Sequence, residues 1–179
     1  MGQMKMLNQN SVLEVCLSDA WGGLEMATLE NSLHFVNSGV KCQLICSKNG
    51  RLHLAGDRTQ LRVLPVGVPQ NRFVRYFDFR LIRQIAKVIG ESQVKTVIVQ
   101  RLSDLWAVVP ALRGYPQVKL VVVSHILMSV SKKDFLHSRL YDRIDRLIAL
   151  TEIHKQNLLT HLPIAPEKIS VVPNGVDVS

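Results

Sequence analysis

Two adjacent glycines, Gly22 and Gly23, stand where a buried strand would pass into a helix. The apolar run Val12–Leu17 predicts the strand, and the pattern from Leu24 to Val36 predicts the helix. Adjacent glycines allow a sharp bend and put no side chain over the helix end. The free N–H groups and the positive end of the helix dipole would face whatever lies above the sheet. This pattern predicts a phosphate site; a tight turn without a ligand is the alternative interpretation.

A second candidate for chemistry is His125, which follows the aliphatic run 119–124. A nearly continuous run of this kind is typical of a strand buried on both faces of a parallel sheet. The glycine turn and His125 would both follow the carboxyl ends of strands, so they can share one rim of the sheet. A histidine that only completes local hydrogen bonds is the alternative.

Two lysines, Lys132 and Lys133, precede the helix predicted over 135–142. Ser131 and Asp134 have the spacing of a capping box for that helix. The lysines could meet an anionic substrate entering above His125, or they could simply be solvated.

Basic residues dominate the middle of the chain, which has a net charge of +8 and an isoelectric point near 9.7. The helix predicted over 76–89 places three of them opposite its apolar face, and two more lie just before it. This surface is formed by Arg72, Arg75, Arg80, Arg83 and Lys87. It predicts docking to an anionic membrane or a large anionic acceptor, with an ordinary solvated face as the alternative.

The composition is that of a globular protein, with 179 residues, 47% hydrophobic and 20% charged. We find no P-loop, no Gly-x-Gly-x-x-Gly fingerprint after the first strand and no metal-ligand spacing. We also find no signal peptide and no apolar run long enough to span a membrane. The three cysteines lie in predicted strands, which favours buried free thiols in a reducing cytoplasm. We expect surface positions for His34, His53, His154 and His161.

Strand and helix patterns alternate throughout, which predicts an α/β fold: a three-layer, Rossmann-like domain with helices on both faces of a mostly parallel sheet of about seven strands. We expect a flexible leader at 1–11, the domain at 12–173 and a linker beginning at 174–179. Ser103 is predicted to cap the helix after the fourth strand, and Thr151 to cap the helix from Glu152 to about His161. Residues 48–51 are expected to form a turn, and a polar stretch is expected after it.

Four segments, in order, resemble the N-terminal half of family-4 retaining glycosyltransferases of the GT-B fold. They are the Gly-Gly-Leu-Glu turn at 22–25, the strand ending in histidine at 122–125, Asp-Arg-Leu-Ile-Ala-Leu-Thr-Glu at 145–152, and the segment at 168–177 that ends in Pro-Asn-Gly-Val-Asp. Each is weak alone, but the ordered set covers most of the chain.

The resemblance implies transfer of a sugar from a nucleotide-diphosphate sugar to a glycan or lipid-linked acceptor, with retention and with no metal or other cofactor. Gly22 and Gly23 would bind the donor diphosphate through their N–H groups. His125 would be the catalytic residue beside the transferred sugar, and Lys132 and Lys133 would contact the acceptor. Glu25 and Glu152 would brace their helices.

In this family Asn-Gly-Val-Asp, here at 174–177, leads into a C-terminal half with the nucleotide pocket and a Glu-x7-Glu motif. We therefore expect this sequence to lack its donor-binding partner domain and to be inactive alone. For the complete protein the resemblance implies a cytoplasmic hexosyltransferase of bacterial envelope polysaccharide or lipopolysaccharide synthesis, able to associate with the inner face of the membrane.

Two alternatives remain open. A non-catalytic Rossmann-like module that binds anionic membrane or nucleic acid would explain the arginines but not the four ordered segments. Nucleic acid is disfavoured because aromatics are only 6% of residues and do not interleave with basic ones. A non-hydrolysing sugar epimerase would need carboxylates at strand ends, for which Asp19 and Asp104 are candidates.

Overall fold

A computed structural model describes residues 11–69, 71 and 78–173 of the chain. Its strands are β1 (Ser11–Cys16), β2 (Lys41–Ser47), β3 (Arg62–Val66), β4 (Thr96–Val99), β5 (Lys119–Val123), β6 (Arg146–Ala149) and β7 (Ile169–Val171). Its α-helices are α1 (Gly23–Asn37), α2 (Arg51–Gly56), α3 (Phe79–Ser92), α4 (Leu105–Ala111), α5 (Phe135–Asp142) and α6 (Glu152–His161). The predicted leader, apart from Ser11, and the predicted linker lie outside the described residues.

The seven strands form one sheet in the order β3-β2-β1-β4-β5-β6-β7, and every neighbouring pair is parallel. The predicted Rossmann-like α/β class is confirmed. From β1 the chain builds outward to β2 and β3 on one side and, from β4 onward, on the other. The crevice beyond the carboxyl ends of β1 and β4 is therefore the switch point where such sheets bind ligands.

Alternate residues of the strands feed two hydrophobic clusters, one on each face. The larger cluster packs α3, α4, α5 and α6 through residues such as Leu81, Val108 and Leu158. The smaller cluster packs α1 and α2 against β1 and β2, with Leu52 at its centre. Two helical layers around one sheet explain why both faces of β1 are apolar, apart from Glu14.

Three local predictions are wrong. Helix α2 occupies Arg51–Gly56, where the last residue of a turn and a polar stretch are predicted. Ser103 does not cap a helix, because it lies inside a short 3-10 turn before α4. Ser131 has no capping role in α5, whose N-cap is Asp134: its carboxylate accepts bonds from the N–H groups of Leu136 and His137.

The cysteines Cys16, Cys42 and Cys46 are buried and free, as predicted. Burial raises the pKa of each thiol to about 12, so all three stay protonated. Within the described ranges, no helix combines the length and apolarity that crossing a membrane requires.

Candidate functional site

The turn between β1 and α1 leaves the start of the helix uncovered. Gly22 is the N-cap with φ −161° and ψ −164°, and among the described residues no side chain caps the first turn. A Cβ on Gly22 would approach nothing closer than Glu25 Oε2 at 3.6 Å, and one on Gly23 would meet nothing within 4 Å. The backbone is extended here, so the expected sharp bend is not what requires glycine. What the two glycines provide is open space above unpaired N–H groups.

Two carboxylates brace this turn from neighbouring elements. Asp104 Oδ2 accepts the N–H of Leu17 at 2.8 Å, which joins the start of α4 to the end of β1. Asp19 accepts the hydroxyl hydrogen bond of Ser47 at the end of β2. The two carboxylates considered for an epimerase therefore serve as hydrogen-bond acceptors within the scaffold.

His125 lies half-buried just beyond β5, and its Nε2 is 2.9 Å from Gln100 Oε1 at the end of β4. Burial lowers the pKa of His125; nearby His154 lowers it further, and Glu25 opposes the shift. The imidazole is therefore neutral near pH 7 and can either donate or accept a hydrogen bond.

The prediction that His154 lies on the surface is wrong, because the residue is buried, with an exposed fraction of 5%. Its Nε2 lies 3.1 Å from Ser124 Oγ and 3.2 Å from the carbonyl oxygen of Ile126. Thr151 Oγ accepts the backbone N–H of His154 and so caps α6, as predicted. His154 thus holds the two residues that flank His125 along the chain.

The loop after His125 is tied to α6 by three further bonds. Asn157 accepts the N–H of Met128 at 2.7 Å and donates to its carbonyl oxygen at 3.0 Å. The N–H of Lys132 donates to the carbonyl oxygen of His161 at 2.8 Å. This loop forms one wall of a cleft beside His125.

The cleft has a volume of about 210 Å³ and opens at the carboxyl ends of β4 and β5. Leu24 of the first turn of α1, Gln100, Ser103, His125 and Met128 are among its lining residues. The structure therefore brings the start of α1 and His125 to one rim, as predicted from their positions after strands.

Lys132 and Lys133 do not line this cleft, and the N–H of Lys132 bonds to His161 at the last residue of α6, away from the capped start of that helix. Lys133 is exposed and Lys132 half-buried. Around them the chain exposes apolar side chains: Ile126, Leu127, Val130, Phe135 and Leu136. An acceptor that reached the lysines would thus also contact an apolar surface.

The basic surface is described only in part, because Arg72 and Arg75 lie outside the described residues. Arg80, Arg83 and Lys87 are exposed on the outer side of α3, as predicted, while Leu81 faces the core. Lys87 is 3.7 Å from Glu91, a pair in which both side chains are exposed.

Sequence reasoning missed Glu14 and Gln100, which lie behind His125. Gln100 Nε2 donates to Glu14 Oε2 at 2.7 Å, and both residues are 1% exposed. Burial raises the pKa of Glu14 to about 8, although the hydrogen bond from Gln100 opposes the shift. The sequence signal that could have revealed Glu14 is a glutamate inside an otherwise apolar strand.

No group of three or more His, Cys, Asp and Glu side chains in the described part of the chain could hold a metal ion.

Several solved structures share this fold. The glycosyltransferase from Rickettsia africae ESF-5 matches with 21% identity and a TM-score of 0.77, over 94% of this chain and 44% of its own. The lipopolysaccharide outer core galactosyltransferase WaaB matches with 15% identity and a TM-score of 0.70, over 95% and 47%. Anabaena Alr3699/HepE, solved with UDP and glucose, matches with 15% identity and a TM-score of 0.68, over 93% and 45%.

This chain thus spans less than half the length of each of these structures. No curated protein sequence matches it. The sequence model of the family described as Glycosyltransferase Family 4 matches residues 21–179, which includes both the glycine turn and His125. The chain therefore belongs to Glycosyltransferase Family 4 and has the N-terminal domain of its GT-B fold.

Proposed function

We propose that this domain takes part in transfer of a sugar from a nucleotide-diphosphate sugar to a glycan or lipid-linked acceptor, with retention of the anomeric configuration. The observation that carries the proposal is the cleft shared by the uncovered start of α1 and His125. Such a transfer needs two features from this half, on one rim: N–H groups that donate hydrogen bonds to an anion, and a neutral imidazole.

In this proposal the N–H groups of Gly22 and Gly23 bind the donor diphosphate as it departs with additional negative charge. Hydrogen-bond donors that already point at the developing charge need no reorganisation during the reaction, so they stabilise the transition state most. His125, kept neutral by burial, contacts the transferred sugar through a hydrogen bond. No metal takes part, and the helix dipole supplies the positive potential.

The donor nucleotide is proposed to bind mainly to a second, C-terminal domain, so that this chain alone is inactive. The coverage of less than half of each neighbouring structure supports that division. A hexose as the transferred sugar, and an envelope polysaccharide or lipopolysaccharide as the product, are supported by the WaaB galactosyltransferase among the similar structures.

The test is a transfer assay with this chain joined to its donor-binding domain, using a panel of UDP-, GDP- and ADP-sugars with and without EDTA. We expect turnover that resists EDTA and falls by about 10²–10³ in the His125→Ala variant, the range for loss of one preorganised polar group. His34→Ala, which changes an exposed histidine on α1, is the matched control. Turnover by the 179-residue chain alone would overturn the two-domain proposal, and full activity of His125→Ala would remove His125 from the site.

A second proposal, peripheral membrane association, has its own observation. Phe79 at the start of α3 is 73% exposed, and Arg80, Arg83 and Lys87 follow it on the exposed side. An apolar residue beside cations is suited to the interface of an anionic bilayer.

Binding to vesicles of anionic and neutral lipid at two salt concentrations tests this proposal. Charge reversal of Arg80, Arg83 and Lys87 should abolish salt-sensitive binding to the anionic vesicles. Reversal of Lys41, Lys95 and Arg113, which are exposed elsewhere, is the matched control. Undiminished binding after the first reversal would reject the basic surface as the docking site.

A further inference from the structure

Glu14 is a carboxyl group in the middle of the central strand β1, between Leu44 of β2 and Ile98 of β4. In the described part of the chain no lysine or arginine forms an ion pair with it. Its hydrogen bond comes from Gln100 instead. A buried carboxyl without a cation is costly, so the fold alone gives no reason for it.

Gln100 is held in a fixed place beside Glu14. Its backbone N–H donates to the carbonyl oxygen of Val15 at 3.1 Å, and its side chain is buried between β1 and the loop after β5. The amide nitrogen lies 2.7 Å from Glu14 Oε2, and the amide oxygen lies 2.9 Å from His125 Nε2. One amide therefore bonds to the carboxyl with its donor end and to the imidazole with its acceptor end.

The chemistry of the groups dictates the direction of this chain of bonds. Above about pH 8, where Glu14 is ionised, its carboxylate can only accept hydrogen bonds, so it must receive the N–H of Gln100. The amide oxygen can likewise only accept, so His125 Nε2 must carry a proton. In a neutral ring the other nitrogen, Nδ1, is then the acceptor.

We propose that Gln100 is a positioning residue that, when the ionised carboxylate of Glu14 orients it, holds His125 as its Nε2–H tautomer and leaves Nδ1 as the acceptor of the ring. This deepens the proposed function by naming what prepares His125 for its partner in the cleft. The tautomer itself is a property of this chain and can be measured without donor or acceptor.

Other titratable groups near the chain of bonds are few among the described residues. The Cys42 thiol of β2 interacts electrostatically with Glu14, but burial keeps it protonated, with a pKa of about 12. Asn31 and Phe35 of α1 line the groove beside Glu14 and carry no charge. His154 and Glu25 act on the charge of His125 in opposite directions. None of them supplies His125 Nε2 with a second acceptor.

The experiment is nitrogen NMR of the histidine rings in the ¹⁵N-labelled 179-residue chain at about pH 9, where histidine is neutral and Glu14 is ionised. The His125→Gln variant assigns the ring signals by their loss. We expect a protonated Nε2 and an unprotonated Nδ1. We also expect the Nε2–H proton to exchange with water about five- to tenfold more slowly than in Glu14→Leu, the factor that one hydrogen bond contributes.

Glu14→Leu separates positioning from packing. An apolar side chain fills the core and should not weaken the fold, but it leaves the Gln100 amide free to turn. We expect the Nδ1–H tautomer of His125 to appear and the protection of Nε2–H to be lost. Glu14→Gln offers Gln100 both an acceptor and a donor, so we expect signals between those of the wild type and Glu14→Leu. Gln100→Leu cuts the same chain of bonds from the other side, and exposed Gln84→Leu is its control.

An Nδ1–H tautomer in the wild type, or ring signals unchanged in Glu14→Leu and Gln100→Leu, would overturn the proposal. Because no sugar is transferred in this measurement, its failure leaves the transferase proposal untouched. Conversely, a protein that fails to transfer sugar but shows the expected signals would retain the positioning role and lose the proposed function.

Discussion

Two strand-turn-helix units on the same rim of the sheet are built in opposite ways. In the β6–α6 unit, Thr151 caps the helix and the strand residue Ile148 is apolar. In the β1–α1 unit, glycines begin the helix without a side-chain cap, and strand β1 contains the buried carboxyl of Glu14. Both units pack on the same sheet, so the difference does not come from their surroundings in the fold.

The comparison shows that the β1–α1 unit is not built for maximum stability. Glycine in the first turn of a helix, a missing cap and an unpaired buried carboxyl each lower the stability of the folded state. All three occur in the unit that faces the cleft with His125. Residues that lower the stability of the fold are expected at functional sites, and the β1–α1 unit contains all three of these features.

The largest effect should come from giving α1 the kind of cap that α6 has. Gly22→Asp places a carboxylate where the donor diphosphate is proposed to bind, so we expect kcat/KM of the two-domain protein to fall by about 10²–10³. Stability should change by only a few tenths of a kcal/mol, because aspartate and glycine are both accepted at N-caps. Steady-state transfer assays and urea denaturation measure the two effects. Thr151→Asp is the matched control, and equal losses in both variants would contradict a special role for α1.

The next effect is a pH dependence confined to β1. The pKa of Glu14 is raised from its ordinary 4.5 to about 8, so between these values the folded state binds more protons than the unfolded state. Its contribution is complete below about pH 4.5 and is lost as the pH rises to about 8, with a slope of at most about 1.4 kcal/mol per pH unit. Urea denaturation across this range should show a difference between Glu14→Leu and wild type that grows with pH. Parallel curves would mean that Glu14 does not titrate as described.

A smaller effect should follow from removing the cap of α6. Thr151→Ala deletes the acceptor for the N–H of His154 and should lower the free energy of unfolding by about 1 kcal/mol. Gly22→Ala in α1 removes no such bond and should lower that free energy by less, although alanine is a poorer N-cap residue than glycine. Urea denaturation of the pair checks the comparison directly. An equal loss in both variants would show that the two helix starts contribute alike to stability.

The smallest effect should be a gain. Gly23→Ala adds a methyl group that meets no atom within 4 Å, in a backbone conformation open to any residue. Restricting the unfolded chain should then raise the free energy of unfolding by about 0.4–1 kcal/mol. The melting temperature measures the gain. Gly39→Ala is the control and should destabilise the protein, because Gly39 has φ +80°. A loss of stability in Gly23→Ala would mean that this glycine has a structural role after all.

Most elements of the fold followed from local patterns, while several contacts of the site did not. The aliphatic runs and the spacing of apolar residues predicted all seven strands, and Thr151 was correctly assigned as a cap. Asp134 and Ser131 show the limit: both are good caps, and only the path of the loop tied to α6 decides which one begins α5. His154 was misjudged because a polar residue in a mixed helix does not show by its neighbours which face it occupies.

Strand and helix periodicity is a local property of the chain, so the α/β class and the positions of the glycine turn and His125 after strands follow from the printed residues alone. The chain of hydrogen bonds that joins Glu14, Gln100 and His125 depends instead on how the strands are arranged in the folded sheet. These residues come from three strands and their ends, and they meet only because β1, β4 and β5 lie side by side. The order of the strands depends on packing across the whole sheet, because the energy of any one strand pair depends on the neighbouring strands and on the helices packed on both faces.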